Sequence, residues 1–160
     1  MQATDLREGL NGLFTFAQRD IDTLWANIGE AKAGEVLHDV LPSLIDSYGS
    51  AAATVAADWY DSKREAKGVR GNFRAIPADI KDTGTHALIG WALATATDDT
   101  SFKTFILGGT QRRVRDFSRL TVQDSSIRDP GARGWERVGV GECEFCQMLL
   151  GRGAVYTEAS

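Results

Sequence analysis

Apolar residues recurring at intervals of three and four over long stretches leave a chain few options beyond helices packed on helices. Two such runs fill the first part of this sequence. Leu6, Leu10, Leu13, Phe14, Ala17, Ile21, Leu24, Trp25 and Ile28 make the first, which predicts a helix over 6–28. Gly9 and Gly12 weaken its first turns, at about 1 kcal/mol each relative to alanine. Leu37, Val40, Leu41, Leu44, Ile45, Tyr48, Ala52, Val55, Ala56 and Trp59 make the second, which predicts one long helix over 34–66. Pro42 lies inside that pattern and removes a helical hydrogen bond, so a kink near His38 is expected. The alanines at 51–53 and 56–57 predict close approach of a neighbouring helix.

Gly68, Gly71 and Asn72 mark a loop over 68–75. Pro77 suits a first helical turn, where its missing N–H is no loss, so a third helix is expected over 77–97 with Ile80, Ala87, Leu88, Trp91, Leu93 and Ala94. Asp98 to Ser101 reads as a turn and N-cap. A fourth helix follows with Phe102, Phe105, Ile106, Gly109, Val114, Phe117 and Leu120, bent at Gly108-Gly109. The fold class is therefore mainly α. A helical domain of about four helices spans 1–124, a turn-rich linker containing Asp129-Pro130-Gly131 spans 125–134, and a small module spans 135–160.

That last module has its own pattern. Trp135, Arg137, Val138 and Val140 read as a short strand. The hook Cys143-Glu144-Phe145-Cys146 follows, and then Phe145, Met148 and Leu149 show helical spacing. Strand, C-x-x-C hook and short helix build one half of a structural zinc site, in which Cys143 and Cys146 are two of four ligands. These are the only cysteines in the chain. His38 and His86 complete the set only if the fold brings them together, which nothing in their spacing indicates. Otherwise another segment or another chain must supply the rest. The plainer reading is a pair of small buried residues beside Phe145. A redox role lacks the βαβ context such sites use.

With 160 residues, 42% of them hydrophobic and 25% charged, the chain suits one globular domain. No apolar run approaches the ~20 residues that span a bilayer. The sequence from Met1 to Leu6 lacks the features of a signal peptide, so the chain reads as intracellular with reduced thiols. The net charge of −4 is unevenly spread. Residues 1–100 hold 9 basic and 15 acidic side chains, whereas residues 101–137 hold 8 basic and 4 acidic ones. Within that basic block Arg112, Arg113, Arg115 and Arg119 are candidates for contact with phosphates or an acidic partner. A solvated helix face is the plainer account, with Val114, Phe117 and Leu120 as its core stripe. Trp25, Trp59, Trp91 and Trp135 read as core or interface anchors. The sequence holds no P-loop, dinucleotide fingerprint or H-E-x-x-H, which disfavours an enzyme.

The run Arg128-Asp129-Pro130, Gly134-Trp135-Glu136-Arg137-Val138, Cys143-Glu144-Phe145-Cys146-Gln147-Met148-Leu149 and Arg152-Gly153-Ala154-Val155-Tyr156 resembles the MuF-like minor head proteins of tailed bacteriophages, especially those of actinobacteriophages. Ala56-Ala57-Asp58-Trp59-Tyr60-Asp61-Ser62-Lys63-Arg64 is similar in style to their helical N-terminal region. The resemblance implies a virion component made in the host cytoplasm and carried into the head near the portal, in several copies. Its implied partners are portal and major capsid subunits and packaged DNA, with no membrane. Head assembly or DNA ejection is its implied role. Members usually continue past the position of Tyr156 to a histidine and further cysteines, so zinc here requires ligands from another segment or chain. Many members are labelled capsid maturation protease, which makes a protease with a cysteine nucleophile the second reading. A small nucleic-acid-binding protein using the arginine-rich fourth helix is the third.

Overall fold

The computed structural model describes residues 3–28, 32–134, 147–148 and 151. Four helices follow in order: α1 (Ala3–Ile28), α2 (Ala33–Ala66), α3 (Thr85–Thr95) and α4 (Asp99–Arg128). Among the described residues there is no strand. At 1.5 Å per residue the 34-residue α2 is ~51 Å long and the 30-residue α4 ~45 Å. Cross-contacts fix their directions. Gly49 of α2 meets Phe117 of α4, and Arg64 meets Asp129, so α2 and α4 run parallel. Against them α1 is antiparallel, with Gly9 beside Val55, Tyr48 bonded to Asp20, and Asp22 paired to Lys103. On the other side α3 is also antiparallel, with Leu88 against Gly109 and Leu93 against Gly34.

The periodic leucines and isoleucines do what their spacing predicts. Ile21, Leu37, Leu41, Ile45, Ile89, Ile106 and Phe117 form one buried cluster with Ala53 and Phe102. Phe14, Ala52 and Val114 form a second between α1, α2 and α4. Ala52, Ala53, Ala56 and Ala57 are all buried, confirming the close approach the alanine run implies. Phe117 lies over Gly49 so closely that a Cβ there would sit 2.5 Å from its ring. Interiors this dense resist added volume.

Two boundaries differ from expectation, each for a physical reason. The third helix does not open at Pro77. Residues 69–84 form an extended strap instead, because its amides find side-chain acceptors: Ala75 N–H donates to Asp61 Oδ1 and Ala78 N–H to Thr121 Oγ1. Asp82 Oδ1 then accepts from Gly84 N–H, and Gly84 takes a left-handed φ of 64° that ends the strap and admits α3. The fourth helix runs through Arg128, into the expected linker, because Thr121 and Ser125 continue the buried stripe of Phe117. It starts as expected. Asp98 accepts from Ser101 N–H at 2.7 Å while Ser101 Oγ accepts from Asp98 N–H, a capping box. Those bonds hold the Asp98 carboxyl below its usual range. Finally, α2 is one helix with Pro42 inside it. The expected strand and cysteine hook lie outside the described residues, although Gln147, Met148 and Gly151 are helical.

A buried polar knot closes the far end of the bundle. Asp129, 5% exposed, accepts from Arg64 Nε at 3.0 Å and from Tyr60 Oη at 3.1 Å; its other oxygen accepts from Gly131 N–H. The guanidinium of Arg64 also lies 5.3 Å from the centre of the Phe73 ring, tying the strap to the same point. Removing one partner leaves the other charge buried and uncompensated. Arg64→Met and Asp129→Asn should each cost about 3–5 kcal/mol, and the double variant less than their sum; urea unfolding of all four chains measures the coupling.

Tyrosine ionisation gives a second prediction. Burial and the Asp20 carboxylate push the Tyr48 phenol up to about 12, and burial and Asp129 raise Tyr60 as well. Raised values mean that the protonated phenols are favoured in the fold. Their contribution is complete below pH ~10 and is lost as pH rises through the folded values. The urea midpoint should fall above pH ~10, and less steeply in Tyr48→Phe, where one such group is gone.

Candidate functional site

Among the described residues, an open concavity lies where α3 crosses α4. It is a groove of about 480 Å³. Leu88 and Gly109 form its floor, Trp91 and Phe105 its apolar end, and Arg112 and Arg113 its cationic end. Trp91 packs against Phe105 with ring centres 4.9 Å apart, yet 52% of it remains exposed. Thr104, Gly108 and Arg112 succeed one another at four-residue intervals along α4, so they share one face of the helix.

The paired glycines of this wall have different duties. A Cβ on Gly109 would strike the buried Leu88, so Gly109 sets how closely α3 approaches α4. A Cβ on Gly108 would meet nothing, so Gly108 instead leaves the groove shallow and open. Close packing thus accounts for Gly109, where the sequence reading expects a bend.

The candidate arginines separate once placed. Arg113 is half-buried and spends its donors on main-chain carbonyls: Nε to Thr83 at 2.8 Å, Nη2 to Gly84 at 2.9 Å and Nη1 to Gly109 at 3.2 Å. Burial, with neighbouring Arg112 adding repulsion, lowers its pKa. Arg113 therefore clamps the end of the strap and the start of α3. Arg112 is exposed at the groove rim. Arg115 lies over the Phe14 ring at 4.6 Å, and Arg119 pairs with Asp116 at 3.3 Å. The four do not form one uninterrupted row.

Among the tryptophans, Trp25 donates to Asp99 Oδ2 at 2.9 Å and packs at a tilt against Phe102, pinning the end of α1 to the start of α4. Trp59 is half-buried, with Lys63 Nζ 5.9 Å from its ring centre. Trp91 alone of these three is more than half exposed, in the groove. Trp135, Cys143 and Cys146 lie outside the described residues. The two histidines do meet: His38 Nδ1 and His86 Nδ1 are 2.9 Å apart across α2 and α3. Their separation of 48 residues offered no local signal for this. Nor did any pattern announce the knot of Tyr60, Arg64 and Asp129. Among the described residues no group of three or more His, Cys, Asp or Glu is placed to hold a metal, and no helix is long and apolar enough to cross a membrane.

A family model described as VG15 protein matches residues 1–160. No curated protein and no solved structure matches the chain.

The glycines of the groove give the test of its construction. Gly108→Ala should raise stability by about 0.5–1 kcal/mol through helix propensity alone, whereas Gly109→Ala should lower it by about 1–3 kcal/mol by displacing Leu88. Thermal melts of the two variants, adjacent in sequence, should move in opposite directions.

Proposed function

The chain belongs to the VG15 protein family, a family of viral (phage) proteins, and on that premise we propose that it is a structural component of the phage head: a minor head protein that docks on portal or major capsid subunits during assembly. The observation that carries the docking reading is the open groove between α3 and α4. An aromatic side chain more than half exposed beside an arginine, on a wall kept low by glycine, has the composition of a protein-docking spot. The bundle behind it is closed by its own apolar stripes and by the Asp129 knot, so the groove is presented on a rigid support.

The MuF-like resemblance of the C-terminal run supports the same role. It adds location near the portal, presence in several copies, and an action in head assembly or DNA ejection.

The experiment is a particle-incorporation assay. Phage lacking the gene would be complemented with the wild-type chain, with Trp91→Glu, or with Thr54→Glu as a surface control on α2. Mass spectrometry of purified heads should find the wild type and the control. Trp91→Glu, with unchanged circular dichroism, should be depleted at least ~10-fold, as expected for loss of a central aromatic anchor. Absence of the wild-type chain from purified heads would overturn the assignment.

A further inference from the structure

We infer that His38 and His86 form a two-imidazole site for a late first-row transition ion, Cu²⁺ or Ni²⁺ before Zn²⁺, bridging α2 to α3. The starting point is the geometry of the pair. The rings lie within 12° of parallel with centres 5.2 Å apart, and the nitrogens that approach to 2.9 Å are both Nδ1. Each Nδ1 therefore lies on the side of its ring that faces the other. Two neutral rings hold that arrangement when one carries its proton on Nδ1 and the other on Nε2, giving a single N–H···N bond.

Such a pair offers two nitrogen donors already at the separation a chelate requires. Metal–imidazole bonds are about 2.0–2.1 Å long, so two nitrogens at right angles on one ion are about 2.8–3.0 Å apart, and two at a tetrahedral angle about 3.3–3.4 Å. The observed 2.9 Å equals the right-angle spacing, and because the two nitrogens face each other head-on, each ring must turn by about 45° to aim its lone pair at the ion. Right angles are the preference of Cu²⁺ and Ni²⁺ in square-planar or tetragonal sites, whereas Zn²⁺ would need the rings to part by about 0.5 Å. Binding replaces the N–H···N bond by two metal–nitrogen bonds. The proton on one Nδ1 passes through solvent to Nε2 of the same ring, both rings stay neutral, and no net proton is released.

The backbone beneath the pair is fixed, which favours binding by removing an ordering cost. Leu37, next to His38, is fully buried in the main core, and Thr85, next to His86, is buried as well. Arg113 clamps the carbonyls of Thr83 and Gly84 immediately before them. The rings themselves are reachable: His86 is exposed and His38 half-buried, so both can tilt toward a shared ion while water completes the coordination. This site is independent of the docking reading above.

The test uses the full-length, untagged chain carrying Cys143→Ser and Cys146→Ser, which removes competing thiolates. Calorimetric titration with CuCl₂ or NiCl₂ should give one ion per chain. The Cu²⁺ spectrum in electron paramagnetic resonance should show two equivalent nitrogens. His38→Gln or His86→Gln should weaken binding by ~10-fold or more and reduce the nitrogen count, with unchanged circular dichroism. The metal should raise the melting temperature of the parent and leave that of either histidine variant unmoved, while MgCl₂ does neither. No saturable binding, or equal affinity in the parent and both histidine variants, would overturn the proposal.

Discussion

The parallel pairing of α2 and α4 is the constraint from which the rest of the structure follows. Two long helices that lie side by side in the same direction cannot be joined by a short turn, because one ends at the far end of the bundle and the other begins at the near end. The connection must travel back nearly the whole length of the seam. Residues 67–98 make that return in two parts, an extended strap followed by the short α3. Each part is fastened to the seam it retraces: Ala75 to Asp61 of α2, Ala78 to Thr121 of α4, and Thr83 and Gly84 to Arg113 of α4. The groove and the histidine pair both lie where this returning segment crosses the long helices. They are products of the topology and not of any contiguous stretch of sequence.

Small residues make the seam itself tight. Phe117 occupies the space over Gly49, and four alanines of α2 are buried nearby. Such contacts are short-range and steric, and they set how closely the helices approach without fixing how they are aligned along their axes. The Asp129 knot supplies that alignment. A carboxylate with acceptor positions filled by Arg64, Tyr60 and Gly131 N–H tolerates little sliding of one helix past the other. Desolvating the pair offsets most of its Coulombic attraction, so its value lies in specificity of register more than in net stability. Parallel helix dipoles add a mild repulsion to the seam, which the antiparallel α1 and α3 on either side diminish.

Helical class and, among the described residues, the long helices and most of their core were legible because each rests on a local period. Leu37, Leu41 and Ile45 recur every four residues and are all buried. Where the core stripe changes from apolar to small polar residues, the period becomes invisible to hydropathy. Thr121 and Ser125 are as buried as Phe117, yet nothing in their chemistry announces it, so the apolar pattern alone ends α4 too early. The opening of α3 departs from the sequence pattern for another reason. Pro77 is a sound helix starter, but Asp61 and Thr121, distant in sequence, captured the amides around it and kept the strap extended.

The candidate site was legible by residue and illegible by role. Trp91, Arg112 and Arg113 all attract notice in the sequence, the first as an apolar anchor and the others as part of a basic cluster. Only the fold separates them, turning Arg113 inward to cap carbonyls and leaving Arg112 and Trp91 at opposite ends of one groove. A basic run on a helix is thus a poor guide to a phosphate surface when a turn with unsatisfied carbonyls passes within reach, since a guanidinium with five donors satisfies such a turn better than any other side chain. The histidines teach the complementary point. A lone histidine on each of two helices carries no signal by itself, and its meaning is set by whether the returning segment brings the two into register. Here the register is held by Arg113, so one of the four arginines read as candidate contacts instead positions the segment that carries His86.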